Sequence, residues 1–389
     1  MAVVTISNAF DPNVWLPDYL AFDPQTGDYA VSGTATTTTL TAVTVLGLME
    51  FTSTGVGYAF GTGDLGGPVA GVVQSLTISV NGDVWLTMTG LEFELIDLNR
   101  YVFGWERRGV WRPGDGFDLM SLLLSGADTI NGSNNDDDLI PGRNPGNDVI
   151  NAGLGDDFIM ADAGNDTIDG GEGRDTYSLD ESFFDASAYR GAVVNLATGV
   201  ATDSWGGTDS LSGIEQVRGS RLSDRLIGGD GNEQFMGLSG RDTINGGAGE
   251  DMVRYDRDAD YGGTQGVVVN LALGTATDGW GHTDVLRGIE GVRGTAGNDT
   301  LIGDGNSNWF VGGDGVDSIN GGAGLDWAEF WGDNQTSGVV VDLSRANGQV
   351  RNDGWGNVET LRGIENLWGS GQNDRLTGNM GANFLGGDH

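Results

Sequence analysis

Residues 146–180 read GNDVINAGLGDDFIMADAGNDTIDGGEGRDTYSLD, with an aspartate every nine residues at 148, 157, 166 and 175. Two residues after each stands Ile150, Ile159, Ile168 or Tyr177, and two before each stands Gly146, Gly155, Gly164 or Gly173. The consensus is GGxGxDxUx, with U apolar. A three-residue strand with one inward side chain buries nothing alone, so successive coils must stack to share a core. The other six residues of the period form a turn. Glycine there permits positive φ and lets carbonyls converge where a Cβ would clash. The aspartate closing the turn adds a hard carboxylate oxygen. Turns stacked along one edge therefore line up carbonyls and carboxylates as an oxygen cage of the kind Ca²⁺ prefers, with roughly six to eight ligands.

The same period begins at Gly126 with Asp128 and Asp137, and a two-residue insertion near Asn144-Pro145 precedes Asp148. It returns over 219–254, over 294–329 and from Gly369. A longer clock runs above it. Asp224, Asp299 and Asp374 are 75 residues apart, as are Trp205, Trp280 and Trp355, and Glu215, Glu290 and Glu365. Asp242 with Asp317 and Asp251 with Asp326 keep the same interval, while Glu233, Asn308 and Asn383 replace the expected aspartate at one fixed place. Each long unit is thus four nonapeptides and a spacer of 39 residues. Within the spacers, WGGTDSL and WGHTDVL set Asp209 and Asp284 two residues before an apolar side chain. The spacers are therefore expected to continue the stack, with strands at VVNL (193–196) and VVVNL (267–271) and loops bulging around 180–190 and 255–265.

The chain of 389 residues carries 56 acidic and 19 basic side chains, a formal charge of −37, 70 glycines and no cysteine. That charge argues against nucleic acid as a partner. Every basic residue is arginine, which excludes lysine-dependent chemistry such as a P-loop or a Schiff base. With 38% hydrophobic residues the chain is too apolar for a disordered acidic tail, so it should fold. No disulfide can staple it, which suits export in unfolded form but demands another stabiliser. The N-terminus, MAVVTISNAFDPNVW, lacks the basic start, apolar centre and cleavage site of a Sec signal peptide. The longest apolar stretch, near Leu40 to Met49, is too short to span a bilayer.

Character changes near residue 121. Residues 1–121 hold 16 of the glycines, and β-branched or alternating runs such as TATTTTLTAVTVLGL, VVQSLTISV and VWLTMTGLEFEL predict strands separated by turns such as Asn81-Gly82. Two domains are expected: a small β-rich N-terminal cap or interaction domain over 1–121, and the repeat region over 122–389. DGFDLMSLLLSG (115–126) reads as a short linking helix capped by Asp115.

The nonapeptides GLGDDFIMA, GGEGRDTYS, GGAGEDMVR, GGDGVDSIN and GGAGLDWAE resemble those of the RTX, or hemolysin-type calcium-binding, proteins. The resemblance covers residues 122–389. It implies an all-β fold built as a parallel β-roll, a calcium-binding solenoid with two nonapeptides per coil. It also implies Ca²⁺ between same-edge turns and export by a type I secretion system. The family's metal carboxylate falls on Asp128, Asp137, Asp148, Asp157, Asp166 and Asp175 in the first block. In the later blocks it falls on Asp224, Asp242, Asp251, Asp299, Asp317, Asp326 and Asp374. Pairing turns two repeats apart gives about eight or more Ca²⁺ sites.

No catalytic constellation is visible. His282 and His389 are the only histidines, neither HExxH nor GxSxG occurs, and GTGDLG (61–66) reads as a β-turn. Nothing singles out a carboxylate pair for glycoside hydrolysis. The repeated tryptophans, and Trp309, Trp327 and Trp331, are read as packing residues in preference to a sugar-binding stripe. The expected function is non-enzymatic: a secreted Ca²⁺-binding protein whose Ca²⁺-driven folding builds an extracellular rod for surface-layer, matrix, filament or adhesive roles. The alternative is the non-catalytic repeat portion of a secreted polysaccharide-modifying enzyme or protease. Expected partners are calcium ions, further copies of the chain and cell-surface polysaccharide. The expected location is extracellular or at the bacterial cell surface, without a membrane span. At the end of the sequence Leu385 completes one repeat and Gly387 opens another, so the expectation is either that the sequence is truncated at residue 389 or that another subunit covers the end.

Overall fold

The computed structural model describes residues 127–139, 146–180, 187–332 and 335–387 in full. Before them it describes the backbone of six strands: Val3–Ile6, Tyr29–Thr34, Thr37–Thr44, Gly47–Phe60, Pro68–Val80 and Asp83–Glu94. The expected helix at 115–126 lies outside the described residues, as does 181–186 of the first expected loop. The chain forms two compact units, residues 1–177 with 205–214, and residues 178–204 with 215–389.

In the first unit the strands from Tyr29–Thr34 to Asp83–Glu94 form an antiparallel meander. Val3–Ile6 is the joint. On one edge it pairs antiparallel with Asp83–Glu94, Val4 opposite Met88, and on the other it pairs parallel with Thr129–Asn131, Val4 opposite Ile130. The first coil of the repeat region is thus paired along its outer edge, which removes an open template for aggregation. From there Thr129–Asn131, Val149–Leu154, Thr167–Glu172 and Thr208–Ser212 stack in parallel, aligning Ile130, Ile150, Ile168 and Leu211. All four are at most 7% exposed. On the opposite wall Leu139 aligns with Ile159.

The second unit has two walls of its own, built the same way. One aligns Val217, Phe235, Val253, Val292, Phe310, Ala328, Leu367 and Leu385 in unbroken parallel register. The other aligns Val194, Leu226, Ile244 and Leu286, and again Val269, Leu301, Ile319 and Leu361. Apart from the terminal Leu385, these side chains are at most 3% exposed. The U position of each nonapeptide supplies the aligned inward residue, as a three-residue strand requires, and Met160, Met236, Met252 and Val311 are buried beside it. The fold is an all-β parallel β-roll.

The spacers join the roll as expected, with strands Val193–Asn195 and Val268–Asn270 where the β-branched runs stand. They add something the nine-residue period does not foresee. Val268–Asn270, Thr275–Thr277 and Thr283–Arg287 form an antiparallel meander inserted into one wall, while the other wall passes directly from Met252–Arg254 to Gly291–Arg293. The turn is local chemistry: Asn270 Oδ1 accepts from the Leu273 N–H at 3.0 Å, and Gly274 takes φ +65°. Within the second bulge, Asp258–Tyr261 form a 3-10 turn ended by Gly262 at φ +100°. No helix among the described residues is long and apolar enough to cross a membrane.

Candidate metal centre

Each repeat aspartate ends a turn, and from Asp148 onward its carboxylate accepts an N–H of an earlier strand. The Asp128 N–H donates to Asp148 Oδ1 at 2.8 Å, Asp148 to Asp166 at 2.8 Å, and Asp166 to Asp209 at 3.0 Å. Along the other edge Asp137 donates to Asp157 and Asp157 to Asp175, both at 2.8 Å. In the second unit Asp224 donates to Asp242 at 2.8 Å, Asp242 to Asp284 at 3.0 Å, and Asp299 to Asp317 at 2.8 Å. Its second edge runs from Glu233 to Asp251 at 2.8 Å and from Asp251 to Glu290 at 3.0 Å. It resumes from Asn308 to Asp326 at 2.8 Å and from Asp326 to Glu365 at 3.1 Å. Asp209, Asp284, Glu290 and Glu365 are spacer residues outside the thirteen assigned from the repeat. Their signals were the apolar residue two after Asp209 and Asp284 and the 75-residue interval of Glu290 and Glu365, but no nonapeptide surrounds them.

Each rung of this ladder uses one oxygen of the accepting carboxylate. Twelve of the thirteen aspartates are at most 3% exposed, and Asp374 is half-buried. The second oxygen of Asp148, Asp157, Asp242, Asp251, Asp317 and Asp326 is buried with no hydrogen-bond partner. A buried ionised oxygen without a donor is costly, and a cation is the group that offsets it. The glycines preserve room for that oxygen. A Cβ on Gly237 would lie 2.5 Å from Asp242 Oδ2, and one on Gly321 would lie 2.5 Å from Asp326 Oδ2. At Gly249, φ +116°, a Cβ would fall on the Gly231 carbonyl oxygen one coil earlier. The donors are hard oxygens only, a set that fits Ca²⁺.

Burial pushes the Asp148 carboxyl up to about 6, against backbone hydrogen bonding and with Asp128 adding to the rise. Burial likewise raises Asp157 to about 7, with Asp175 and Asp137 contributing, and Asp317 to about 8, with Asp299 and Asp353 contributing. Asp242 is displaced upward in the same direction by burial, then by Asp224 and Asp284.

The positions are not equivalent. At the head of three blocks a hydroxyl residue stands four before the aspartate, and it satisfies the carboxylate from within. Ser220 donates to Asp224 through N–H at 2.6 Å and Oγ at 2.7 Å. Thr295 does so to Asp299 at 2.7 and 2.9 Å, and Ser370 to Asp374 at 2.8 and 2.6 Å. With a further N–H from Ala192, Val267 or Val339, each of these carboxylates has three donors. Asn308 and Asn383 present an amide where the orphan oxygen would be. Nδ2 of Asn308 donates to the Glu290 carbonyl at 3.3 Å, and that of Asn383 to the Glu365 carbonyl at 2.8 Å. An N–H aimed at a turn carbonyl takes the place a cation would hold.

One residue adds to a site. Asp162 stands where the consensus has glycine, and its carboxylate converges with those of Asp148 and Asp166. The three buried groups offer ligand atoms all within 4.8 Å of one another. Spacing alone does not single out Asp162, because it lies off the nine-residue register. 

A comparison with curated proteins gave no match. The RTX calcium-binding nonapeptide repeat matches in four copies, over residues 143–177, 227–261, 293–328 and 360–388. These copies overlap the stretches whose turns carry the carboxylate ladder, and over them the chain carries RTX calcium-binding nonapeptide repeats.

Proposed function

We propose that the chain is a secreted, non-enzymatic protein whose roll folds as Ca²⁺ enters its turns. The observation that carries this reading is the set of buried, donorless carboxylate oxygens at Asp148, Asp157, Asp242, Asp251, Asp317 and Asp326. Where Ca²⁺ is scarce, carboxylates stacked one coil apart repel one another and favour the unfolded chain, a form suited to a narrow export channel. Where Ca²⁺ is plentiful, extracellular modules with Kd on the order of 10⁻⁴–10⁻³ M fill, and binding free energy becomes folding free energy. The bound ion supplies charge neutralisation. The aspartates and turn carbonyls would hold it, and the glycines keep the approach open.

Far-UV circular dichroism tests this directly. A strong β signal in millimolar Ca²⁺ that collapses in chelator is expected; the same signal in both would sink the reading. The finer role we assign is in a surface layer, matrix or adhesive contact, with copies of the chain or surface polysaccharide as partners. Negative-stain microscopy with and without Ca²⁺ addresses assembly, and dispersed monomers in both conditions would remove self-association from the proposal.

A further inference from the structure

We propose that a cleft between the second and third spacers binds a pyranose unit of a polysaccharide. Both spacers leave the same wall of the roll, one after Arg254 and the next after Glu329. The strands Gly291–Arg293 and Trp309–Val311 lie between and form the floor. Three strand spacings set the width at about 14 Å, and the cavity is 460 Å³. That is room for one or two sugar rings.

The lining has the chemistry of such a ring. A pyranose offers an apolar C–H face and a rim of hydroxyls that both donate and accept. Trp331 and Trp355 supply flat apolar surfaces. Trp331 is 37% exposed, more than the packing role read for it from sequence. It is also held: its Nε1 donates to Glu329 at 2.8 Å, and the Arg293 guanidinium lies 4.4 Å from its ring centre. Trp355 closes over Gly332, where a Cβ would come within 2.7 Å of the indole. At the rim, Arg257 and Asp260 form a 3.2 Å ion pair with both side chains more than half exposed. Such a pair is worth little and can exchange partners with hydroxyls at small cost. Exposed Asp314 adds an acceptor.

Charge narrows the ligand class. Three arginines (254, 257, 293) face three aspartates (256, 260, 314), so the cleft has neither the surplus cation of an anion site nor the surplus carboxylate of a metal site. Arg254 grips Asp256 through Nε at 3.0 Å and Nη2 at 2.8 Å, which fixes the inner wall. The feature is not repeated one unit earlier. Arg218, 75 residues before Arg293, donates to Asp180 at 2.9 Å and to the Tyr261 hydroxyl at 3.1 Å, so that Tyr261 covers the corresponding guanidinium.

This inference rests on the reading of the chain as an extracellular protein loaded with Ca²⁺. The test uses the full chain in millimolar Ca²⁺, titrated with a neutral gluco-oligosaccharide, a uronate oligosaccharide and polyglutamate. Indole fluorescence and calorimetry are the readouts. One sugar site per chain is expected, with Trp331→Ala and Trp355→Ala each weakening it at least tenfold. Trp331→Phe should retain most of the affinity, and the Ca²⁺-induced dichroism should be unchanged in all three. The two sugar arms tell whether the ring is neutral or acidic. Binding of polyglutamate as tight as either sugar, or sugar affinity indifferent to both tryptophans, overturns the proposal. A chain that folds with Ca²⁺ and binds neither sugar overturns it alone. A chain that binds sugar at Trp331 but ignores Ca²⁺ overturns the calcium reading alone.

Discussion

The choice between carboxylate, amide and hydroxyl at one turn decides what that turn needs. Asp317 accepts the Asp299 N–H with one oxygen and leaves the other without a donor. Asp299, one coil earlier, is satisfied by Thr295 and Val267. Asn308 shows the outcome of an amide in that place, its Nδ2 taken up by a carbonyl. Asp317→Asn is therefore expected to keep the coil while lowering the Ca²⁺ stoichiometry measured by calorimetry; unchanged stoichiometry would remove Asp317 from the ligand set. Ser220→Ala should act in the opposite way. It strips one donor from Asp224 at a cost of about 1 kcal/mol, visible as a lower melting temperature with the Ca²⁺ count unaltered. Gly237→Ala should weaken Ca²⁺ binding measured by calorimetry without removing any ligand, because the new Cβ would crowd Asp242 Oδ2 at 2.5 Å.

Strands and spacers obey different periods. The nonapeptide strands pair parallel at one residue per wall, but each spacer folds an antiparallel hairpin into one wall only. Its carboxylate nevertheless keeps the ladder's place, and in two spacers a buried phenol serves it. Tyr177 OH donates to Asp209 at 2.5 Å, and Tyr255 OH to Asp284 at 3.5 Å. In the third spacer Phe330 follows Tyr255 and Glu359 follows Asp284 at the 75-residue interval, and Glu359 Oε2 is buried without a donor. Burial, then Asp317 and Asp353, holds its carboxyl well above the usual range. A raised folded-state pKa penalises the charged form, so the stability this group contributes is present in acid and lost as pH rises. In chelator, Glu359→Gln should accordingly retain more β signal than the unaltered chain at pH 8 and match it near pH 4. Equal gains in β signal at both pH values would mean that Glu359 does not titrate in this way.

Summed over the molecule, these shifts give the roll a pH dependence of definite sign. Asp148, Asp157, Asp299 and Asp317 rise to about 6, 7, 6 and 8, each through burial first. Without metal, the folded state takes up protons between the unfolded value near 4 and these values. Its stability is greatest below that window and falls as pH climbs through it. In chelator, the β signal should therefore strengthen as pH is lowered from 8 towards 5. In Ca²⁺ the dependence reverses, because protons compete with the ion, and the Ca²⁺ midpoint should move to higher concentration over the same range. A Ca²⁺ midpoint indifferent to pH would contradict the assignment of these carboxylates. The formal charge of −37 belongs to the metal-free chain, and each bound Ca²⁺ offsets two of its charges.

Period and composition reached far because a solenoid makes long-range structure out of local repetition. A residue nine or eighteen positions away is a spatial neighbour, so the roll, its inward side chains and most carboxylates could be read from spacing alone. What spacing could not reach depends on contacts that obey no period. The donors that satisfy both oxygens of Asp224 and Asp299 while leaving one oxygen of Asp242 and of Asp317 bare are set by whether a hydroxyl residue or a glycine lies against the carboxylate. The convergence of Asp162 on Asp148 and Asp166 comes from a side chain outside the register. The cleft at Trp331 and Trp355 exists because two bulges, 75 residues apart in sequence, rise from one wall with two strands between them. Periodic hydrophobicity fixes which residues face inward. Only the folded backbone decides which polar atoms are left without a partner, and which outward side chains meet.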